Sequence, residues 1–559
     1  MFKTHFPINQ SASKDCEYSY PKTTSWKKGT DCCLWDGVSC DNITGEVISL
    51  ELSCSCLSGT FPSNTTFFLL SSLRRLDLSF NDFWKSKISS KFGYFPSLTH
   101  LNLSSSWFSG PIPYEISYLS NLVSLHLSYR PSIDLIGFQA PGPILTLEKS
   151  TINGIVWNLT QVREIDLDGI DMSSIYPNSF VNLSYSLTTL SLLGCHLRGK
   201  FSDNIFKLSN IEYLSLDKNP KLTSKFPKSN WSSPLVGFSA SKASSSGELP
   251  KSFGNLKSLM GLALLCRNLT HLEFLVLSYN YFSGKVPSSL ANLAKLIILS
   301  LGDNQLEGCI PNNANVFPNL RYLDLSNNLL SGTTPSWLYT IPLLRSLDLG
   351  NNQFIGHISE FQNRALSAII LKDNSFHGLI PSSISKLMNL IVLDLSSNFI
   401  EAIKGFEIEL EKILTIFTSI DLSSDNFEGQ IPRDIRELSS LRGLNLSHNN
   451  LVGHIPTSLR NMIWLELLDL SSNKFSGQIP TGLSDLTFLF FFNFSYNQLV
   501  GRIPHGNQFN TFENGSYQGN EGLCDVPLSR GCSIKVLGEP PPAPWTNSHE
   551  DGGSWWLKA

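Results

Sequence analysis

The stretch "LRGLNLSHNNLVGHIPTSLRNMIWLELLDLSSNKFSGQIP", Leu441 to Pro480, states nearly the same pattern twice. Leu444 returns as Leu468, Asn449 as Asn473, Gly453 as Gly477 and Pro456 as Pro480, every pair separated by one constant interval. Each short "LxL" alternates, so Leu444 and Leu446 point inward while Gly443, Asn445 and Ser447 point out. One such strand cannot bury its apolar side alone, but stacked copies form a parallel sheet over a continuous core.

Working outward, the second leucine of "LxxLxL" recurs at Leu50, Leu76, Leu101, Leu125, Ile165, Leu190, Leu214, Phe238 and Leu262. It continues at Leu275, Leu299, Leu323, Leu347, Ile369, Leu393, Ile420, Leu444, Leu468 and Phe492. Most of these steps keep the interval of the opening stretch, which lies in the leucine-rich-repeat range. The asparagine after the strand (Asn304, Asn328, Asn352, Asn449, Asn473, Asn497) is expected to turn inward and satisfy backbone groups that water cannot reach. Cys195 occupies that position in its own repeat. Gly453 and Pro456 suit a tight, non-helical turn on the outer side, and Leu459, Met462 and Leu465 complete the core of the coil.

The composition agrees with a stacked core and excludes several classes. Hydrophobic residues at 41% suffice for the core, and a formal charge of -4 points to no nucleic acid. Charged residues are only 16%, which suits a secreted, glycosylated surface. The eleven cysteines gather towards the two ends, as paired caps in an oxidising compartment would. Against that compartment, "MFKTHFPINQSASKD" holds no apolar segment of a signal peptide. No run approaches the roughly 18 apolar residues that span a membrane.

The pattern breaks at 128–160, 262–275 and 400–417. Leu262 and Leu275 stand at little more than half the usual interval, as if two half-repeats were fused at "LLCRNLTHLEFL". The tail after Cys532, "GEPPPAPWTNSHEDGGSWWLKA", reads as disordered.

"GxIP" resembles the plant-specific subclass of leucine-rich repeats, and "DCCLWDGVSC" and "NQFNTFENGSYQGNEGLCDVPLSRGC" resemble the caps of the same class. The resemblance implies Cys33 paired with Cys40, Cys16 with Cys32, and Cys524 with Cys532. It leaves Cys54, Cys56, Cys266 and Cys309 without assignment. From Cys32 to Cys532 the chain resembles the ectodomain of plant receptor-like proteins of the Cf resistance type, through "LDLSFNDF", "KFGYFPSLTHLNLSSSWFSGPIP" and the C-terminal cap. The expected fold is an α/β solenoid. It is a plant-type superhelix with short parallel strands on the concave face, irregular or 3-10 outer segments and disulfide-bonded caps. Its domains are an N-terminal cap over 1–45, repeats over 46–505, a C-terminal cap over 506–532 and a tail over 533–559. Such proteins also carry a signal peptide, an island loop and one membrane helix. Their absence from this sequence reads as a truncated or internally deleted member.

No nucleophile elbow, metal-ligand cluster, phosphate loop or kinase signature appears, so neither catalysis nor a cofactor is expected. Asp77, Asp166, Asp324, Asp348, Asp394, Asp421 and Asp469 line up at the x of "LxL". We read them as the repeat's usual solvated residue and not as an acid ladder. Sequons at Asn64, Asn158, Asn182, Asn230 and Asn514 lie outside the "LNLS" tract and point to the secretory route.

The outward strand positions turn apolar at Ala263, Leu265, Phe274, Val276 and Ile298, flanked by Tyr213 and Tyr322, which marks a candidate ligand face. A second patch, Leu467 and Phe491 beside His448, falls in the C-terminal block. The resemblance associates that block with a partner receptor kinase bearing its own leucine-rich repeats. The expected function is therefore a ligand-recognition ectodomain in pathogen perception at the extracellular side of the plasma membrane. Its ligand would be a pathogen-derived protein or peptide, and it would signal through the partner kinase. The alternatives are a secreted inhibitor of a cell-wall-degrading enzyme, like the polygalacturonase-inhibiting proteins, and a non-functional truncated product.

Overall fold

The computed structural model describes residues 6–62, 66–129, 145–224, 234–252, 272–312, 317–401, 418–432 and 435–532, apart from 437 and 439. These fall into two compact units, the first reaching Leu296 and the second beginning at Ile297, except that Gly284–Ser288 belongs to the second.

In the first unit, parallel strands pair Val47–Glu51 to Arg75–Asp77, His100–Asn102, Ser124–His126, Glu164–Asp166, Thr189–Ser191, Tyr213–Ser215, Gly237–Ser239 and Phe274–Val276. The register sets Leu50, Leu76, Leu101, Leu125, Ile165, Leu190, Leu214, Phe238 and Leu275 side by side. Leu262 was expected between Phe238 and Leu275. Gly237–Ser239 bonds directly to Phe274–Val276, and Leu262 itself lies outside the described residues. In the second unit the ladder runs from Ile298–Ser300 through Tyr322–Asp324, Ser346–Asp348, Ala368–Ile370 and Val392–Asp394. It continues through Ser419–Asp421, Gly443–Asn445, Leu467–Asp469 and Phe491–Asn493.

One coil shows why the sequence folds so. Leu444 and Leu446 enter the core from the strand, Leu451 and Ile455 from the next segment, and Leu459, Met462 and Leu465 from the return; all are buried. Each such side chain contributes about 1.5–3 kcal/mol. Thr457–Asn461 is a 3-10 turn, compact enough to fit the short return. The "GHIP" segment differs from the expected plain turn. Asn450–His454 is a second short strand pairing with Lys474–Gly477, and Gly453 bends it at φ +84. A side chain at that φ would be strained.

The inward asparagines carry the turns. Asn449 Nδ2 donates to the carbonyls of Leu422 (2.8 Å), Leu446 (3.2 Å) and Ser447 (3.0 Å), while Phe427 N–H donates to Asn449 Oδ1 (3.0 Å). Asn328, Asn374 and Asn473 repeat the arrangement, as do Asn81, Asn219, Asn280 and Asn520 where the repeat is less regular. Cys195 stands in for Asn with its thiol donating to Leu167 O (3.2 Å), and Ser106 Oγ donates to Leu78 O (2.6 Å).

Of the irregular stretches, 130–144, 253–271 and 402–417 lie outside the described residues, as does the tail 533–559. The first is followed by a strand, Leu145–Thr146, and an α-helix, Lys149–Asn158, which buries Ile152, Ile155 and Val156. A Cβ on Gly154 would sit 2.8 Å from Ser117 Cβ, so this helix approaches Tyr114–Tyr118 closely only as glycine. Among the described residues no helix is long and apolar enough to cross a membrane.

At the N-terminus, Cys33 joins Cys40, but Cys16 joins Cys54 and not Cys32. The 3-10 turn Gln10–Ser13 explains the correction. Asn9 N–H donates to Cys56 O (2.8 Å), and Ser13 Oγ accepts from Cys56 N–H (3.0 Å). The segment is thereby laid along the first coil, with Cys16 beside Cys54. Cys32, Cys56, Cys195 and Cys309 are thiols, and Cys266 lies outside the described residues. At the other end Cys524 joins Cys532, and Gly522–Cys524 closes the second sheet against Gln498–Arg502.

Candidate functional site

The expected ligand face divides between the units. In the first, Tyr213, Gly237 and Phe274 are in register, and the Tyr213 ring covers Gly237, where a Cβ would lie 2.8 Å from it. Tyr213 is exposed, while Phe274 and Val276 are half-buried. Burial pushes the Tyr213 phenol above its usual range, with Glu273 and Glu212 adding to it. In the second unit Ile298 pairs with Tyr322, whose ring is exposed. Ala263 and Leu265 lie outside the described residues.

Nearer the N-terminus the strand face carries a hollow that pattern reading passed over. Arg75, His100, Ser124 and Glu164 are in register along one row, and Asp77, Asn102, His126 and Asp166 along the next. Arg75 Nε lies 3.4 Å from Glu51, and His126 Nε2 lies 3.5 Å from Glu164. Burial, then Arg75, hold the His100 imidazole below its usual range. The signal was present at the positions on either side of each anchor, where only the apolar departures stand out.

The aligned aspartates are not merely solvated. Asp324, Asp394, Asp421 and Asp469 each accept from the backbone N–H two residues on, at 3.1, 3.2, 3.0 and 2.9 Å. They cap the turn leaving the strand, which is work of the fold and not an acid ladder. Burial pushes the Asp348 carboxyl up to about 6.

In the C-terminal block Leu467 and Phe491 lie side by side in register. His448 sits apart from them, in the turn beyond Gly443–Asn445 at φ +55. The larger feature is one that sequence reading missed. Trp464 and Phe488 lie against one another with ring centroids 5.2 Å apart and planes tilted by 31°, and they remain 49% and 52% exposed; Phe490 is 72% exposed and Ile463 is also exposed. All precede the strands of two successive coils. With Leu467 and Phe491 they make an apolar edge of a kind that soluble proteins rarely leave bare without an interaction. Periodicity concealed it: Trp464 and Phe488 stand one repeat apart, so they resemble core positions until their exposure is known.

Of the sequons outside the "LNLS" tract, Asn158, Asn182 and Asn514 are exposed, and Asn64 and Asn230 lie outside the described residues. By contrast Asn445, within the tract, has its amide engaged with Asp421 (3.1 Å) and Ser447 N–H (3.1 Å).

A parallel ladder in each unit, inward asparagines and capped ends define a leucine-rich-repeat solenoid. Leucine-rich-repeat family models match residues 312–354 and also 97–119, 271–293, 440–462 and 464–486. Within that class the chain is similar to plant receptor-like proteins of the Cf type. Receptor-like protein Cf-9 of Solanum pimpinellifolium is 40% identical over 268 residues, covering 46% of this chain and 29% of that protein. The match thus spans less than a third of that relative's length. Among solved structures, the ectodomain of the Arabidopsis receptor kinase HAESA with an extended IDA peptide hormone superposes with a TM-score of 0.56. It is 28% identical and covers 95% of this chain and 98% of that one. HAESA in complex with IDA and the co-receptor SERK1 gives 0.55 at 27% identity, over 94% and 97% of the two chains.

Proposed function

We propose that this chain is a recognition module of the plant cell surface. It binds a proteinaceous ligand along the strand face and engages the leucine-rich-repeat ectodomain of a receptor kinase through its C-terminal coils. Signalling passes through that kinase, and the chain itself catalyses nothing. The ligand is a pathogen-derived protein or peptide, and the site of action is the extracellular side of the plasma membrane. The observation that carries this reading is the bare aromatic edge of Trp464, Phe488 and Phe490. Exposed aromatic residues of this kind dominate the energetics of protein interfaces. The similarity to receptor ectodomains solved with a peptide hormone and with a co-receptor supports the same reading.

The test is binding of the purified chain to an immobilised ectodomain of a SERK-type receptor kinase. Wild type is expected to bind saturably, and Trp464→Ala with Phe488→Ala to weaken binding at least tenfold, the loss of about 1.4 kcal/mol or more. Equal binding by both proteins, or none by wild type, would overturn the assignment. A tight complex with a fungal pectinase instead would favour an inhibitor.

A further inference from the structure

Along the ladder of inward positions, the described residues include a single carboxylic acid, Asp425. It holds the place that Asn398 holds in the preceding coil and Asn449 in the following one. Its Oδ1 does what an asparagine carbonyl would do, accepting from Asn398 N–H (3.2 Å) and Ile400 N–H (3.1 Å). Its Oδ2 is where the difference falls. At the asparagine coils the second side-chain atom is a nitrogen that donates to carbonyls two and three residues earlier. In this coil those carbonyls belong to Leu422 and Ser423. A carboxylate has nothing to donate to them, and Asp425 Oδ2 is buried with no hydrogen-bond partner among the described residues.

We propose that Asp425 makes this part of the solenoid responsive to pH, the coil being fully packed only while the Asp425 carboxyl carries a proton. Protonated, Oδ2 becomes an O–H that can donate to a turn carbonyl, as the asparagine amide does elsewhere. Ionised, a buried charge faces carbonyl dipoles and like charges. The charges that act on it most are like charges, Asp421 and Asp394. Asp394 and Glu401 come from the preceding coil and Asp421 and Glu428 from its own; Arg442, His448 and His454 come from the following coil. Asp394 has its own cation, Lys372, at 3.9 Å. Burial, with Asp421 and Asp394 adding to it, pushes the Asp425 carboxyl up to about 7, against the two backbone donors that lower it.

The direction follows from linkage. The folded value lies above the unfolded carboxylate value of about 3.9, so the proton stabilises the fold fully below that pH. The stabilisation is lost progressively as pH rises to about 7 and changes no further above it. The effect is local to a junction: Asn426 N–H bonds Ile400 O (3.1 Å) and Glu401 bridges Asn426, so this coil holds the strand that precedes residues 402–417. Acid tightens that hold and neutral pH loosens it.

The experiment compares the full chain with Asp425→Asn, which installs the residue used in the neighbouring coils and so is safe for folding. Urea denaturation from pH 4.5 to 8 should show the folding constant of the variant pulling ahead of wild type. The gain is about tenfold per pH unit in the middle of the range, with a plateau above about pH 7. Infrared difference spectra between wild type and variant at pH 5.5 should show one protonated-carboxyl C=O band that disappears by pH 8. A pH-independent gap between the two proteins, or no such band at pH 5.5, would overturn the proposal.

Discussion

Asn449 and Asn450 are adjacent and chemically identical, yet the structure predicts opposite responses to truncation. Asn449 is buried, donates to three carbonyls and accepts from Phe427 N–H. In Asn449→Ala, Phe427 N–H becomes a buried donor without a partner, at a cost of about 1–3 kcal/mol. The three donated bonds add about 0.5–1.5 kcal/mol each, partly offset by their other partners, so about 3–5 kcal/mol in all is expected. Asn450 offers its side chain to Lys474 Nζ at 2.9 Å, at the surface. Its backbone bond to Phe427 O survives substitution, so Asn450→Ala should change stability by no more than about 0.5 kcal/mol. Urea unfolding of the full chain, followed by circular dichroism and by tryptophan fluorescence, separates the two variants. Equal midpoints, or a loss below about 1 kcal/mol for Asn449→Ala, would refute the view that these amides hold the turns.

Two further perturbations test the caps and the irregular repeat. Cys16→Ser or Cys54→Ser should cost about 2–4 kcal/mol while Cys32→Ser costs little, because Cys16 is bonded to Cys54; peptide mapping without reduction checks the pairing directly. Gly154→Ala should destabilise by about 1–3 kcal/mol despite alanine's better helix propensity. Its methyl would meet Ser117 Cβ at 2.8 Å, and a melting curve of the purified variant reads the balance.

How much of this was legible depended on whether a residue's role was periodic. The anchors from Leu299 to Phe492 fall in one register because a core position must recur with the coil. The inward asparagines were legible for the same reason. The Cys16 pairing escaped because it depends on how the residues before the first coil lie against Cys56, which no repeat encodes. The second strand at Asn450–His454 was read as a turn because Gly453 looked like an interruption, whereas its positive φ bends a strand that continues. The aromatic edge stayed hidden because exposure is not written in spacing: Trp464 and Leu465 adjoin, one half out and the other fully buried.

The most direct measurement for the recognition reading is hydrogen–deuterium exchange of the full chain with and without a SERK-type receptor-kinase ectodomain. The expected result is slowed exchange in peptides covering Ile463–Leu467 and Phe488–Phe491, with the 3-10 turns Thr457–Asn461 and Thr481–Asp485 unchanged. Protection confined to other coils, or none at saturating partner, would contradict it.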